Sequence, residues 1–345
     1  MKKVFLTGAA GFIGSYAARE FLSQGWHVFA LEHRSHVVKP GPEGPGALTV
    51  LRGSASDEAS LRAAVLEAAA GTGLDAIVHC AGRASDVGRR EEFRKANFEP
   101  VRHLARLTRE TGAGRLVFVS STDVYGLRDF KGEGEDDLPL VDNIGNPYPE
   151  YKIAAENLLR RELPPEKYSI IRPAAVWGEG DRTFAPRIID FLRLTPWIIH
   201  FGRWRGANRW PLAHVRNVAA ALFLAATRPE AAGRAMNVLD SEATSADEFY
   251  RILAGIYLPE KKFRSVALPF AAGRALGSAI TAVSNLLNLK RPFMDPSLYA
   301  LYAANCSLDF GNGRMKELFR AAGRRLVTRE EGVGELALAE PQPKR

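Results

Sequence analysis

Eight residues near the N-terminus, Thr7-Gly8-Ala9-Ala10-Gly11-Phe12-Ile13-Gly14, constrain the fold more than any other stretch of the chain. They follow a short apolar run, Lys3 to Thr7, and lead into apolar positions at helical spacing: Phe12, Ile13, Tyr16, Ala17 and Phe21. The segment therefore reads as strand, tight turn and helix. Each glycine then has a physical reason. Gly8 permits the turn, Gly11 lets the backbone approach a pyrophosphate without a Cβ in the way, and Gly14 lets the helix pack close to the strand. The helix N-terminus adds free N–H groups and the positive end of its dipole, which suit a dinucleotide. Met1 to Ala18 superficially imitates a secretory leader, but cleavage there would remove the turn that explains its glycines.

Strand and helix keep alternating after this turn. The pattern predicts strands at 27–31, 48–52, 75–79, 115–120 and 168–171. It predicts helices at 57–70, 100–111 and 151–161, with a Gly/Pro-rich loop at Pro40 to Gly46. Such a series implies an α/β fold with a doubly wound parallel sheet (Rossmann) and helices on both faces. After Arg172-Pro173 the rhythm loosens into Trp- and Arg-rich loops and helices near 215–226, 245–254 and 270–288. The expected division is a nucleotide-binding domain over 1–175, to which about 210–240 return, a smaller mixed α/β substrate lobe over 176–330, and a tail over 331–345.

Bulk properties narrow the partners. Of 345 residues 46% are apolar and 25% charged, the balance of an ordinary globular protein. The net charge of +8 comes from scattered Arg rather than a basic helix or zinc-ligand array, so nucleic acid is not expected. Cys80 and Cys306 lie far apart and suggest neither a disulfide framework nor a metal site, which places the chain in a reducing cytoplasm. The apolar stretch from Val266 to Leu289 is interrupted by Pro269, Gly273, Arg274 and Gly277 and makes a poor transmembrane span.

Two further segments carry chemistry. Glu32 closes the second strand, where a carboxylate can accept hydrogen bonds from the adenosine ribose hydroxyls, favouring NAD. His33 and Arg34 follow directly, and an Arg there can instead neutralise the 2′-phosphate of NADP. The apolar run Leu116 to Val119 ends in Ser120-Ser121-Thr122-Asp123-Val124-Tyr125-Gly126, at the strand end where ligands of open α/β sheets bind. Further on, Tyr148 and Lys152 in Asn146-Pro147-Tyr148-Pro149-Glu150-Tyr151-Lys152 are four apart and share one helix face. A nearby ammonium favours phenolate and moves the phenol from about 10 toward the working pH, where it can exchange a proton. Ser121 is placed to hold a substrate oxygen.

Taken in order, TGAAGFIG, VHCAG, Asn97, VSSTDVYG, YPEYK and IRPAAVWGEGD resemble the extended short-chain dehydrogenase/reductase superfamily from residue 3 to about 181, and more weakly through HVRNVA and MNV. The resemblance implies Ser121, Tyr148 and Lys152 as the catalytic trio. It implies Gly8, Gly11, Phe12, Ile13, Gly14, Glu32, Tyr148, Lys152 and Pro173 at the cofactor, with Cys80, Ala81 and Gly82 beside the dinucleotide and Asn97 near the active-site strand. Asp57 stands at a position often acidic in the family, whereas Ser54 replaces an acidic residue usual near the adenine. A homodimer is common in the superfamily.

Within it two branches compete. Sugar-nucleotide epimerases and dehydratases commonly carry an Arg-Asp-Phe run before the HV motif, and here that stretch is Arg209-Trp210-Pro211-Leu212-Ala213-His214. The apolar Val266 to Leu289 region, with Arg291-Pro292 and the stretch from Tyr299 to Leu308, instead resembles the lobe of 3β-hydroxysteroid dehydrogenase-like members. That lobe suits a sterol or another apolar alcohol or ketone, or the apolar residues are simply its core. Trp204, Arg205, Arg209 and Trp210 could rim a substrate mouth, an interface or a peripheral membrane contact, while His214 and Met236 read as packing. The expected reaction is hydride transfer between a nicotinamide and a secondary alcohol or ketone. The alternatives are sugar-nucleotide epimerisation or dehydration with the same trio, and a silent nucleotide sensor.

Overall fold

A computed structural model describes residues 1–33, 44–143, 145–292 and 295–339. Seven strands form the central sheet: β1 Lys3–Thr7, β2 His27–Glu32, β3 Ala47–Arg52, β4 Ala76–His79, β5 Arg115–Val119, β6 Tyr168–Pro173 and β7 Ala235–Val238. All neighbours run parallel, in the order 3-2-1-4-5-6-7. Both faces are covered, so β1, β4, β5 and β6 are buried along nearly their whole length, as a parallel sheet requires, while the edge strand β3 is half-buried. Side chains alternate between two core layers, with Val4 and Leu6 in one and Phe5 in the other.

Helices α1 Phe12–Ser23 and α5 Val215–Thr227 cover the first layer, where Phe21 and Phe223 meet edge-on at 5.2 Å. Helices α2 Glu58–Ala69, α3 Glu99–Thr111 and α4 Pro147–Glu162 cover the second through Leu61, Leu104 and Leu158. The sheet order reverses between β1 and β4. Thr7 lies opposite Leu31 on one side and His79 on the other, and ligands of such sheets bind beyond the strand ends at that reversal.

Two elements differ from the sequence expectation. Helix α4 begins at Pro147 rather than near Tyr151: Asn146 caps it, its side chain accepting from the Tyr148 N–H at 2.9 Å, and a proline in the first turn sacrifices no intrahelical bond. The C-terminal tail is helical over Arg329–Leu338, with a capping box between Thr328 and Glu331.

After β6 the chain builds a wall beyond the strand ends. Ala175–Trp177 pairs with Leu212–His214, and Trp197–Phe201 with Arg264–Leu268. A separate core of Trp177, Ile188, Phe249 and Leu253 supports them. Helix α6, Phe270–Leu286, and the shorter helix Leu298–Ala304 complete the wall. Among the described residues no helix is long and apolar enough to cross a membrane.

Candidate active site

The glycine turn opens onto a cavity of about 540 Å³ that runs from Gly8 to the wall formed after β6. Gly8 has φ +72°, and a Cβ there would lie 2.6 Å from the Ala81 nitrogen. At Gly14 a Cβ would lie 2.0 Å from the Gly8 carbonyl oxygen, so helix and turn are in contact. Gly11 is different. Its Cβ would meet only the Gly8 oxygen, at 3.1 Å, and otherwise point into open space. The cap residue Gly11 makes no side-chain hydrogen bond, and no acidic residue occupies the first turn of α1. The backbone N–H groups of Phe12 and Ile13 thus start a helix whose N-terminal donors suit an anion. The turn fits a pyrophosphate.

Around it stand most of the residues that the sequence associates with the cofactor. Phe12, Ile13, Cys80, Gly82 and Pro173 line the cavity. The Ala81 N–H donates to Thr7 Oγ1 at 3.3 Å, tying the β4 end to the β1 end. Glu32 is buried at the end of β2, with Arg52 3.5 Å from its carboxylate. Arg34 lies outside the described residues. Asn97 does not reach the cavity: its Oδ1 accepts from the Arg83 N–H at 2.8 Å and its Nδ2 donates to the Arg83 carbonyl at 3.0 Å. It braces the loop after Gly82 instead, from a π-helical turn, Arg94–Phe98, that precedes α3. Asp57 caps α2 through the Ser60 N–H at 2.8 Å.

Ser121, Tyr148 and Lys152 converge on the same cavity from β5 and α4. The Lys152 ammonium donates to the Val119 carbonyl at 2.7 Å and lies 5.7 Å from the centre of the Tyr148 ring. This corrects the expected electrostatics. Burial, and then the negative charge of Asp123, push the Tyr148 phenol above its ordinary value, while a hydrogen bond with Ser121 pulls the other way. The ammonium is directed at a main-chain carbonyl beyond the ring rather than at the hydroxyl. Burial also draws Lys152 itself down to about 8.

A buried network holds these groups in place. Glu156, one turn after Lys152, receives Arg172 Nε at 2.8 Å, Ser120 Oγ at 2.7 Å and Arg160 at 2.9 Å. Arg172 also donates to the Tyr125 hydroxyl at 2.6 Å, which donates to Asn237 Oδ1 at 2.8 Å. Burial would raise the Glu156 carboxyl, but Arg172 and Arg160 hold it below the usual range. The network joins α4, β5, β6 and β7 directly beneath Ser121 and Lys152.

The far end of the cavity contains groups that sequence reasoning missed. Asp123, two residues after Ser121, is pushed up to about 6 by burial. The Tyr299 hydroxyl is buried beside it, and the negative charge of Asp123 adds to burial in raising the phenol well above its ordinary value. Arg187 bridges Asp86 and Asp295, each at 2.8 Å. Asp123 stood inside a recognised motif and was recoverable; the others come from segments 86–299, joined only by the fold. Of Trp204, Arg205, Arg209 and Trp210, Trp210 alone lines the cavity. Trp204 donates to Asp129 at 3.1 Å. His214 and Met236 are buried, His214 edge-on to Trp177 at 4.9 Å.

Comparison with known proteins agrees with this geometry. The family model described as the NAD dependent epimerase/dehydratase family matches residues 4–238. A 2-alkyl-3-oxoalkanoate reductase of Stenotrophomonas maltophilia is 29% identical, over 84% of this chain and 85% of that protein. The decarboxylating sterol-4-alpha-carboxylate 3-dehydrogenase of Mus musculus is 26% identical, over 96% of this chain and 89% of that protein. Among solved structures, MoeE5 in complex with UDP-glucose and NAD superposes with a TM-score of 0.68 at 22% identity, covering 98% of this chain and 97% of that one. The chain belongs to the NAD dependent epimerase/dehydratase family.

Proposed function

We propose that this protein reduces a ketone, or oxidises the corresponding secondary alcohol, on an apolar substrate that enters the cavity from the side built by residues 176–330. The observation that carries the reading is the composition of that end: walls such as Phe191, Ile199, Phe201 and Leu301, closing on the Ser121 and Tyr148 side chains. Both curated relatives described above are, by name, redox enzymes acting at a carbon numbered 3, one on an oxoalkanoate and one on a sterol.

The dinucleotide, when bound, exchanges the hydride. This chain's own residues do the rest. Ser121 orients the substrate oxygen, and Tyr148 gives its proton to that oxygen in reduction or takes one in oxidation. Lys152 places a positive charge near the phenolate that reduction leaves. Burial and Asp123 favour the neutral phenol, the form that donates a proton in reduction. Glu32, buried at the ribose end, supports NAD over NADP.

A diphosphate-bearing sugar is disfavoured. Among the lining residues Arg187 is the one guanidinium, and it is already engaged by Asp86 and Asp295. The test is to incubate the purified protein with NADH or NADPH and panels of apolar ketones, 3-oxo acids and UDP-sugars, following nicotinamide absorbance and sugar products. Absorbance loss on an apolar ketone supports the reading. Sugar conversion without net change in NADH would sink it.

A further inference from the structure

Helix α6 has an outer face with no partner among the described residues. At about 100° per residue, its residues sort into three stripes. Gly273, Gly277, Ile280 and Ser284 form the buried one. A Cβ on Gly273 would lie 2.6 Å from the Phe201 ring, and one on Gly277 would lie 3.3 Å from the Leu298 backbone, so small residues let the helix rest directly on the cavity wall. Arg274, Ser278 and Asn285 form a polar stripe. The third consists of Ala272, Leu276, Ala279, Val283, Leu286 and Leu287, and it faces outward: Leu286 is 84% exposed and Leu287 62%. Large apolar side chains are not left in water in a row along a helix without a reason.

Charge identifies what covers them. From Lys261 to Arg291 the chain has six basic residues and no Asp or Glu. Lys290 and Arg291 directly follow the C-terminal end of the apolar stripe, Lys262 and Arg264 precede the helix, and all four are exposed; Arg274 lies on the opposite face, in the polar stripe. A 17-residue helix with an apolar face, and with flanking segments whose only charges are positive, is too short and too interrupted to span a bilayer, and it matches one that lies in the plane of an anionic surface. Its position gives the contact a use. The C-terminal end of α6 is fastened beside the cavity, the Gly88 N–H donating to Asn285 Oδ1 at 3.0 Å and Ser85 Oγ to the Lys290 carbonyl at 2.9 Å.

We propose that the protein docks on anionic phospholipid bilayers through the outer face of α6, with its apolar residues in the acyl boundary and the flanking cations at the headgroups. The cavity wall that α6 supports is then held against the lipid, so that an apolar substrate can be exchanged with the membrane. The docking itself is independent of which substrate is turned over.

The test is co-sedimentation of the full chain, without substrate, with vesicles of phosphatidylcholine plus phosphatidylglycerol and with phosphatidylcholine alone. The wild type is expected to sediment with the anionic vesicles and far less with the neutral ones. Lys290→Gln with Arg291→Gln should weaken that binding roughly 30-fold, each charge near the surface counting for about fivefold. Leu286→Glu should weaken it by at least about tenfold, the scale of one lost buried leucine. The thermal upshift given by NAD should be unchanged in both variants and reports that they are folded. Wild-type protein that stays in the supernatant overturns the proposal, as does binding that neither variant reduces. A dimer in buffer that Leu286→Glu dissociates, without vesicle binding, assigns the face to a second copy and overturns it equally.

Discussion

Gly11 and Gly14 belong to one turn, yet an added methyl should harm two different properties. At Gly14 the new Cβ would sit 2.0 Å from the Gly8 oxygen, a contact that only backbone movement relieves. Overpacking of that kind costs about 3 kcal/mol. For 345 residues, at about 2.1 cal/mol/K each, the unfolding entropy is roughly 0.7 kcal/mol/K, so Gly14→Ala should lower Tm by about 4 °C. At Gly11 the methyl meets a single atom at 3.1 Å, and the loss should be near 1 kcal/mol, the scale of a helix-cap change. Its methyl projects where the pyrophosphate approaches. Loss of one charge-assisted hydrogen bond, about 2 kcal/mol, weakens NAD roughly 30-fold. Thermal melts with and without NAD separate the effects. At a concentration of about 100 times the wild-type Kd, ligand binding stabilises by about 2.7 kcal/mol and raises Tm by about 4 °C. In Gly11→Ala that rise should shrink to about 1 °C while the ligand-free melt stays within about 2 °C of wild type. A full NAD-induced rise in Gly11→Ala, or an unchanged ligand-free melt in Gly14→Ala, would refute the assignment of one glycine to the ligand and the other to packing.

Other perturbations reach the reactive groups. Tyr148→Phe should lower kcat by at least about 100-fold, the scale of general acid–base catalysis, with the NAD-induced Tm rise retained; near-normal turnover would remove Tyr148 from the mechanism. Because Lys152 is drawn down to about 8, NAD affinity measured by titration should fall as pH rises through that value, and Lys152→Met should bind weakly with no such pH dependence. Glu156→Gln leaves the Arg172 guanidinium buried without its carboxylate and should cost about 3–5 kcal/mol in denaturant unfolding. The same carboxyl gives a pH signature. Its folded value lies below its unfolded one, so its contribution is present above the unfolded value, near 4.5, and is lost as pH falls through the folded value. Acid unfolding of Glu156→Gln should therefore show a smaller pH dependence than that of wild type in this window.

The parallel sheet was legible because its evidence is local. The strands carry continuous apolar runs, and the glycine turn has a meaning that depends on only eight residues. Ser121, Tyr148 and Lys152 were legible because two motifs on β5 and α4 each have a recognisable spacing. The sequence reading starts helix α4 at 151, whereas Pro147 and Pro149 sit in its first turn, where a missing N–H costs nothing. The resemblance places Asn97 near the active-site strand; its amide braces the Arg83 main chain from a π-helical turn that has no sequence signature of its own. The pairing of Arg187 with Asp86 and Asp295 spans 101 and 108 residues of chain, and no periodicity encodes a contact at that range.

The largest departure from the sequence reading is electrostatic, and it bears on the direction of the reaction. A Tyr and a Lys four apart suggest a phenol made acidic by its neighbour. In the folded chain Tyr148 is buried beside Asp123 and Ser121, and Lys152 donates to the Val119 carbonyl. Both the negative charge and the burial favour the neutral phenol, the form that donates a proton to a carbonyl oxygen. Oxidation needs the opposite form, which the positive charge of an oxidised nicotinamide bound in the cavity would favour. The same residue is therefore suited to donate when the dinucleotide is reduced and to accept when it is oxidised. In the proposed mechanism the protein's own contribution is to favour the proton on Tyr148, a balance that the charge of a bound dinucleotide would shift.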